Sequence, residues 1–131
     1  MGLDMYLEGE KYLWTDPQNP QSNPREDGYE IKSITLRLGY WRKHPNLHGF
    51  IVKTLAGGID NCEPIALEDT DIERIIEAVA RDDLPHTEGF FFGVTDGTEK
   101  DETIRIFTAA LAWLRIKQVM DFRTVYYRAS W

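Results

Sequence analysis

The pattern that most restricts this chain is Glu30–Trp41, where Ile34, Leu36, Leu38 and Tyr40 interleave with Ser33, Thr35, Arg37 and Trp41. A period of two belongs to a strand, not a helix. It predicts the first set on one face of a sheet and the second set on the other. An earlier strand is expected where Leu3, Met5 and Leu7 alternate with Asp4, Tyr6 and Glu8, and Tyr12 and Trp14 extend it past Gly9. Between the two lies Thr15–Gly28, rich in amides, carrying Pro17, Pro20 and Pro24, and nearly free of apolar residues. Such a stretch reads as a long mobile loop, residues 15–29. No helix separates these strands, which allows them to pair antiparallel.

Helical patterns fill the middle of the chain. Pro45 suits a first helical turn, where its missing N–H costs nothing. Leu47, Phe50, Ile51 and Leu55 then keep helical spacing until Gly57-Gly58, residues suited to a left-handed helix end. Pro64–Leu67 is a short strand. Thr70 and Glu73 have capping-box spacing ahead of Ile72, Ile75, Ile76 and Val79. Gly89–Val94, with Phe90, Phe91 and Phe92, reads as a buried strand. Asp101 to about Met120 carries the longest helical stripe: Ile104, Phe107, Leu111 and Leu114, widened by Ile106, Ala110 and Trp113. Arg123–Trp131 is a last strand, Val125, Tyr127 and Ala129 against Thr124, Tyr126, Arg128 and Ser130. The order predicts an α+β fold: a single mixed or mostly antiparallel sheet of about five strands, with about three helices on one face.

At 131 residues the chain is expected to form one globular domain, 1–131. Its net charge of −7 argues against generic nucleic-acid binding, which needs a basic surface. The single cysteine, Cys62, excludes an internal disulfide and fits a reducing cytoplasm. The first residues lack the basic and apolar regions of a signal peptide, and no apolar run approaches membrane-spanning length. The expectation is therefore a cytoplasmic protein with no membrane partner.

Three clusters could carry chemistry. Tyr40, Trp41, Arg42, Lys43, Asn46 and His48 bring cations and an aromatic stack to a strand-to-helix junction, where a helix N-terminus favours anions. The competing reading puts Trp41 in the core and Arg42 on one of the 22 acids. Asp60-Asn61-Cys62 offers a thiol, with His48 as a base and Asp60 or Asp4 as orienter. A buried inert cysteine is the commoner outcome. Phe91, Tyr126 and Arg128 could present a stacking ring and a guanidinium, provided one sheet face is open. Metal spacing is absent: His44 and His48 are four apart, but Pro45 leaves His44 at the helix cap. No glycine pattern matches a phosphate-binding loop, and no cofactor is expected.

Taken together, Gly2-Leu3-Asp4-Met5-Tyr6-Leu7, Gly39-Tyr40-Trp41-Arg42-Lys43 with Asn46 and His48, Asp60-Asn61-Cys62, Gly89-Phe90-Phe91-Phe92-Gly93 and Tyr127-Arg128-Ala129-Ser130-Trp131 resemble a family of uncharacterised small bacteriophage and prophage proteins. The resemblance runs from Gly2 to Trp131, leaving out the 15–29 loop. Some relatives carry the label phosphoglycerate kinase, an activity that needs two large lobes and a nucleotide-binding glycine loop. The resemblance implies a phage accessory role in a bacterial host and brings no catalytic residues with it.

The leading expectation is a non-enzymatic binder of a small anionic or nucleotide-like ligand or of a host protein, with a counter-defence role. Its binding residues would come from Tyr40, Trp41, Arg42, Lys43, Asn46, His48, Asn61, Phe91, Tyr126 and Arg128. One alternative is a small nucleotide-directed hydrolase or transferase using His48 or Cys62 with Asp4 or Asp60 as orienter. Another is a structural or assembly protein, and a homo-oligomer is compatible with either view.

Overall fold

A computed structural model describes residues 2–87, 99–116 and 121–131. Strand β1 (Asp4–Leu13) leads through a single 3-10 turn (Pro20–Ser22) into a small hairpin, β2 (Arg25–Glu26) and β3 (Tyr29–Glu30). Then follow β4 (Ser33–Arg42), α1 (Pro45–Leu55), β5 (Ile65–Leu67), α2 (Asp69–Ala80), α3 (Lys100–Leu114) and β6 (Asp121–Ser130). The main sheet has the order β4-β1-β6-β5, and every pairing in it is antiparallel. The fold is α+β. The sheet has four strands among the described residues, and the expected strand Gly89–Val94, with Phe91, lies outside them.

Alternation along β1 decides the layering. Leu3, Met5 and Leu7 are fully buried, while Asp4, Tyr6 and Glu8 are only partly so. The buried row joins Trp41, Leu67, Val125, Tyr127 and Ala129 with Leu47 and Ile51 of α1, Ile72, Ile75 and Val79 of α2, and Ile106, Phe107 and Ala110 of α3. All three helices therefore share one core on one face of the sheet. None of them is long and apolar enough to cross a membrane.

Three expectations need correction. The alternation in β4 slips by one residue at a bulge: Leu7 faces Gly39, but Glu8 faces Arg37. Leu38 is the extra residue, and it packs toward the core beside Trp113 and Gly9. Tyr40 therefore leaves the face of Ile34 and Leu36 and turns to solvent beside Tyr6, while Trp41 turns inward. Gly39 has to be glycine for packing, since a Cβ there would fall onto Ile106 Cγ2.

The capping box of α2 sits two residues upstream of Thr70 and Glu73. Asp71 accepts the Glu68 N–H at 2.9 Å, and Glu73 instead pairs with Arg115 from the end of α3. Helix α3 stops at Leu114 rather than near Met120, with Arg115 as its C-cap. The segment 15–29 carries its own hydrogen bonds. Asn23 Oδ1 accepts the Asp16 N–H at 3.0 Å, and Asp27 and Gly28 turn the hairpin with positive φ. Helix α1 ends as expected: Gly58, at φ 81°, donates its N–H to the Val52 carbonyl at 2.9 Å.

Candidate functional site

The side of the sheet away from the helices is uncovered by the described elements. Strand register arranges its side chains in rows across β4, β1 and β6. Arg42, Asp4 and Ser130 form the first row; Tyr40, Tyr6 and Arg128 the second; Arg37, Glu8 and Tyr126 the third. Thr35, Glu10 and Thr124 follow, then Ser33, Tyr12 and Phe122. Aromatic rings and guanidinium groups dominate the upper rows. The Arg128 and Arg37 guanidinium carbons lie 4.7 and 5.3 Å from the Tyr6 ring centre, a cation–π distance for each. Tyr40 packs its ring 5.3 Å from Tyr6, and its hydroxyl donates to Asp4 Oδ1 at 2.5 Å. That bond to a carboxylate, together with some desolvation and the Asp4 charge, pushes the Tyr40 phenol above its ordinary value.

Most charges here are matched. Arg42 lies 3.7 Å from Asp4, and Arg128 Nε donates to Glu8 at 3.0 Å. Glu8, Glu10, Thr35, Pro64, Tyr126 and Arg128 line a shallow cavity of about 230 Å³ on this face. Pro64 comes from the segment just before β5.

A second constellation lies at the helix-covered end of the sheet. His48, 2% exposed on α1, has Tyr127 Oη 2.5 Å from Nδ1 and Asp60 Oδ2 2.9 Å from Nε2. A carboxylate only accepts, so in the neutral ring Nε2 carries the hydrogen and Nδ1 accepts the Tyr127 O–H. Burial pushes the Tyr127 phenol well above its ordinary value, and the Asp60 charge adds to the rise. Trp131 sets its ring edge-on to His48 at 5.7 Å. Asn61, Cys62 and Glu63 also line the site, but the cavity enclosed is only about 10 Å³. That is room for at most one water. These two contacts of the imidazole hold the loop, α1 and β6 together, so the arrangement ties three segments and leaves no space for a substrate.

The expected site residues therefore part company. Tyr40, Arg42, Tyr126 and Arg128 share the uncovered face. Trp41 does not join them. It is 4% exposed, stacks on Phe107 at 5.3 Å and donates its indole N–H to Thr103 Oγ1 at 2.9 Å. This corrects the expectation of a ligand-stacking ring. Lys43 is exposed in a turn with φ 59°, and Asn46 Oδ1 accepts the Thr87 N–H at 3.0 Å. Asn61 folds its own turn by accepting the Glu63 N–H at 3.2 Å. His48, Asp60 and Cys62 do line one cavity, with Cys62 exposed. Asp4, on the opposite side of the sheet, is no orienter for His48; that role is filled by Asp60. Among the described residues no group of three or more His, Cys, Asp or Glu is placed to hold a metal ion.

Tyr6, Glu8, Glu10 and Arg37 were not singled out by residue type, yet they form the middle of the uncovered face. The signal was present: the same alternation that buries Met5 and Leu7 sends Tyr6 and Glu8 outward. Compared with protein-family models, with curated proteins and with solved structures, the chain matches none.

Proposed function

We propose that this chain is a non-enzymatic binding protein whose working surface is the uncovered face of the sheet, and that it docks a protein rather than a small anion. The observation that supports this is the state of the arginines. Arg42 and Arg128 are already matched by Asp4 and Glu8, so a free anion would have to displace a carboxylate from each and would find only Arg37, lying over the Tyr6 ring, without one among the described residues. Tyr and Arg on a broad, shallow surface are instead the residues that concentrate binding energy between proteins. The enzyme reading loses ground because the His48–Cys62 cavity has no room for a substrate. The resemblance to phage proteins makes a host protein the natural partner, within a counter-defence role in the bacterial cytoplasm.

Two measurements test the reading. Thermal midpoints are expected to stay unchanged with linear and cyclic nucleotides. A stabilisation that disappears in Arg128→Ala would restore the small-anion version. A photo-crosslinking residue placed at Thr124 on the uncovered face is expected to trap a protein in host cells, and one at the exposed Arg74 of α2 is not. Adducts from Arg74 alone would refute the assignment of the face.

A further inference from the structure

The uncovered face has an unusual charge balance. It carries Asp4, Glu8 and Glu10 against Arg37, Arg42 and Arg128. Asp4 pairs with Arg42 and Glu8 with Arg128. Two charges are left over, and they are opposite. Among the described residues Glu10 has no ion-pair or hydrogen-bond partner, and Arg37 has only the Tyr6 ring. They lie in adjacent rows near the middle of the face: Arg37 stands across from Glu8, and Glu10 is the next outward residue on β1.

Resting on the docking reading above, we propose that in the absence of an outside partner this face is closed by the same face of a second copy of this chain, with Arg37 of each copy meeting Glu10 of the other.

Two-fold contacts demand self-complementarity: if one residue meets another across the interface, the reverse contact also forms. One unmatched charge of each sign satisfies that condition. A uniformly basic or uniformly acidic partner would oppose one of the two with a like charge. A two-fold axis passing between Arg37 and Glu10 crosses the centre of the face, so middle stacks on middle. The face is balanced, so the net charge of −7 resides on the rest of the molecule, and stacking brings no net charge together at the contact. Exposed rings add apolar area: Phe122 is 65% exposed and Tyr12 48%, in contact with each other at one end.

The size is adequate for a reversible dimer. Strands β1, β4 and β6 are each ten residues long. At about 4.8 Å between strands and about 3.3 Å per residue, they present roughly 500 Å² per copy. Two copies then bury roughly 1,000 Å², at the lower edge of specific interfaces. The dimer is therefore concentration-dependent and open to displacement by a partner that covers more surface.

Sedimentation velocity of the full chain, from micromolar to millimolar, tests this. The expected mass moves from one chain to two as concentration rises. Arg37→Glu and Glu10→Arg each place like charges in opposition and are expected to weaken the dimer by about tenfold or more. The double variant Arg37→Glu/Glu10→Arg exchanges the signs and is expected to return the affinity close to the starting value, which also shows that both substitutions fold. A chain that stays monomeric throughout overturns the proposal, and so does a dimer indifferent to the single swaps or not rescued by the double one. A monomer that still forms adducts from Thr124 overturns the dimer alone. A monomer with no such adducts overturns the docking reading as well.

Discussion

The two faces of the sheet are built from the same strands under different rules. Toward the helices, β1 sends Met5 and Leu7 into a core where Phe107, Ile72, Ile75, Val125 and Tyr127 are essentially inaccessible. Toward solvent it sends Tyr6 and Glu8, held by guanidinium stacking and an ion pair that remains partly exposed, with Glu10 beyond them. The inner face stabilises by removing apolar area from water, at about 25 cal/mol per Å². On the outer face, ion pairs between partly exposed groups are worth little, because water screens them and ordering long side chains costs entropy. Stability thus resides on one side, which leaves the other free to be specified by what it contacts.

The largest break in that comparison comes from the inner face. Phe107→Ala removes a fully buried ring stacked on Trp41. It is expected to cost about 3–5 kcal/mol in urea unfolding, since the ring's contacts are lost and the cavity collapses only in part. A cost below about 1 kcal/mol would mean that the helices do not share one core with the sheet.

An intermediate effect comes from the polar relay around His48 inside the inner face. His48→Phe removes the acceptor for the Tyr127 hydroxyl and the donor to Asp60. Leaving a buried hydroxyl unmatched costs about 1–3 kcal/mol. Adding Tyr127→Phe to that variant removes the orphaned hydroxyl and is expected to recover part of the loss. The same phenol sets a pH dependence. Its proton is held more tightly in the folded state than in the unfolded one, where it leaves near 10.0. The folded chain then binds more protons above that pH, so the stabilisation present below pH 10 declines as the medium becomes more alkaline. Tyr127→Phe is expected to lose this component of the alkaline decline. Tyr40 is also raised, but through its bond to Asp4, so a spectrophotometric titration should show two late-titrating phenols of which only one depends on the fold's interior.

How far these features are legible in the sequence depends on their range. Alternation in Leu3–Glu8 and Val125–Ser130 reads directly as inner and outer rows, because each residue's direction depends only on its neighbours. Glu30–Trp41 reads equally clearly and misleads, because the bulge at Leu38 reverses the parity of everything after it. Nothing local distinguishes Leu38 from Leu36; what accompanies the slip is the approach of Ile106 over Gly39, made by a helix more than sixty residues later in the chain. The α2 cap is similar. Thr70/Glu73 and Glu68/Asp71 both have the required spacing, and Glu73 is drawn to Arg115 of α3. The meeting of His48 with Asp60 and Tyr127 joins groups 12 and 79 residues away, which depends on the strand order rather than on any motif. Tyr6 and Glu10 are legible by parity alone, since neither carries a distinctive motif.

The smallest expected effect is the most informative about the outer face. Arg128 contacts Glu8 at 3.0 Å and lies over the Tyr6 ring at 4.7 Å, yet its side chain is 39% exposed and that of Glu8 27%. Exposure of that order caps the pair at about 0.2–1 kcal/mol, so Arg128→Ala is expected to shift unfolding by no more than about 1 kcal/mol at low protein concentration. Salt should shrink even this, because the pair is open to solvent. At high concentration the same substitution acts on a surface that two copies share, and the loss should grow as the dimer that covers Arg128 is weakened. A loss independent of protein concentration would place the role of Arg128 within a single chain. A loss well above 1 kcal/mol in the dilute protein would show that the outer face carries stability of its own, and the division of labour between the two faces would then fail.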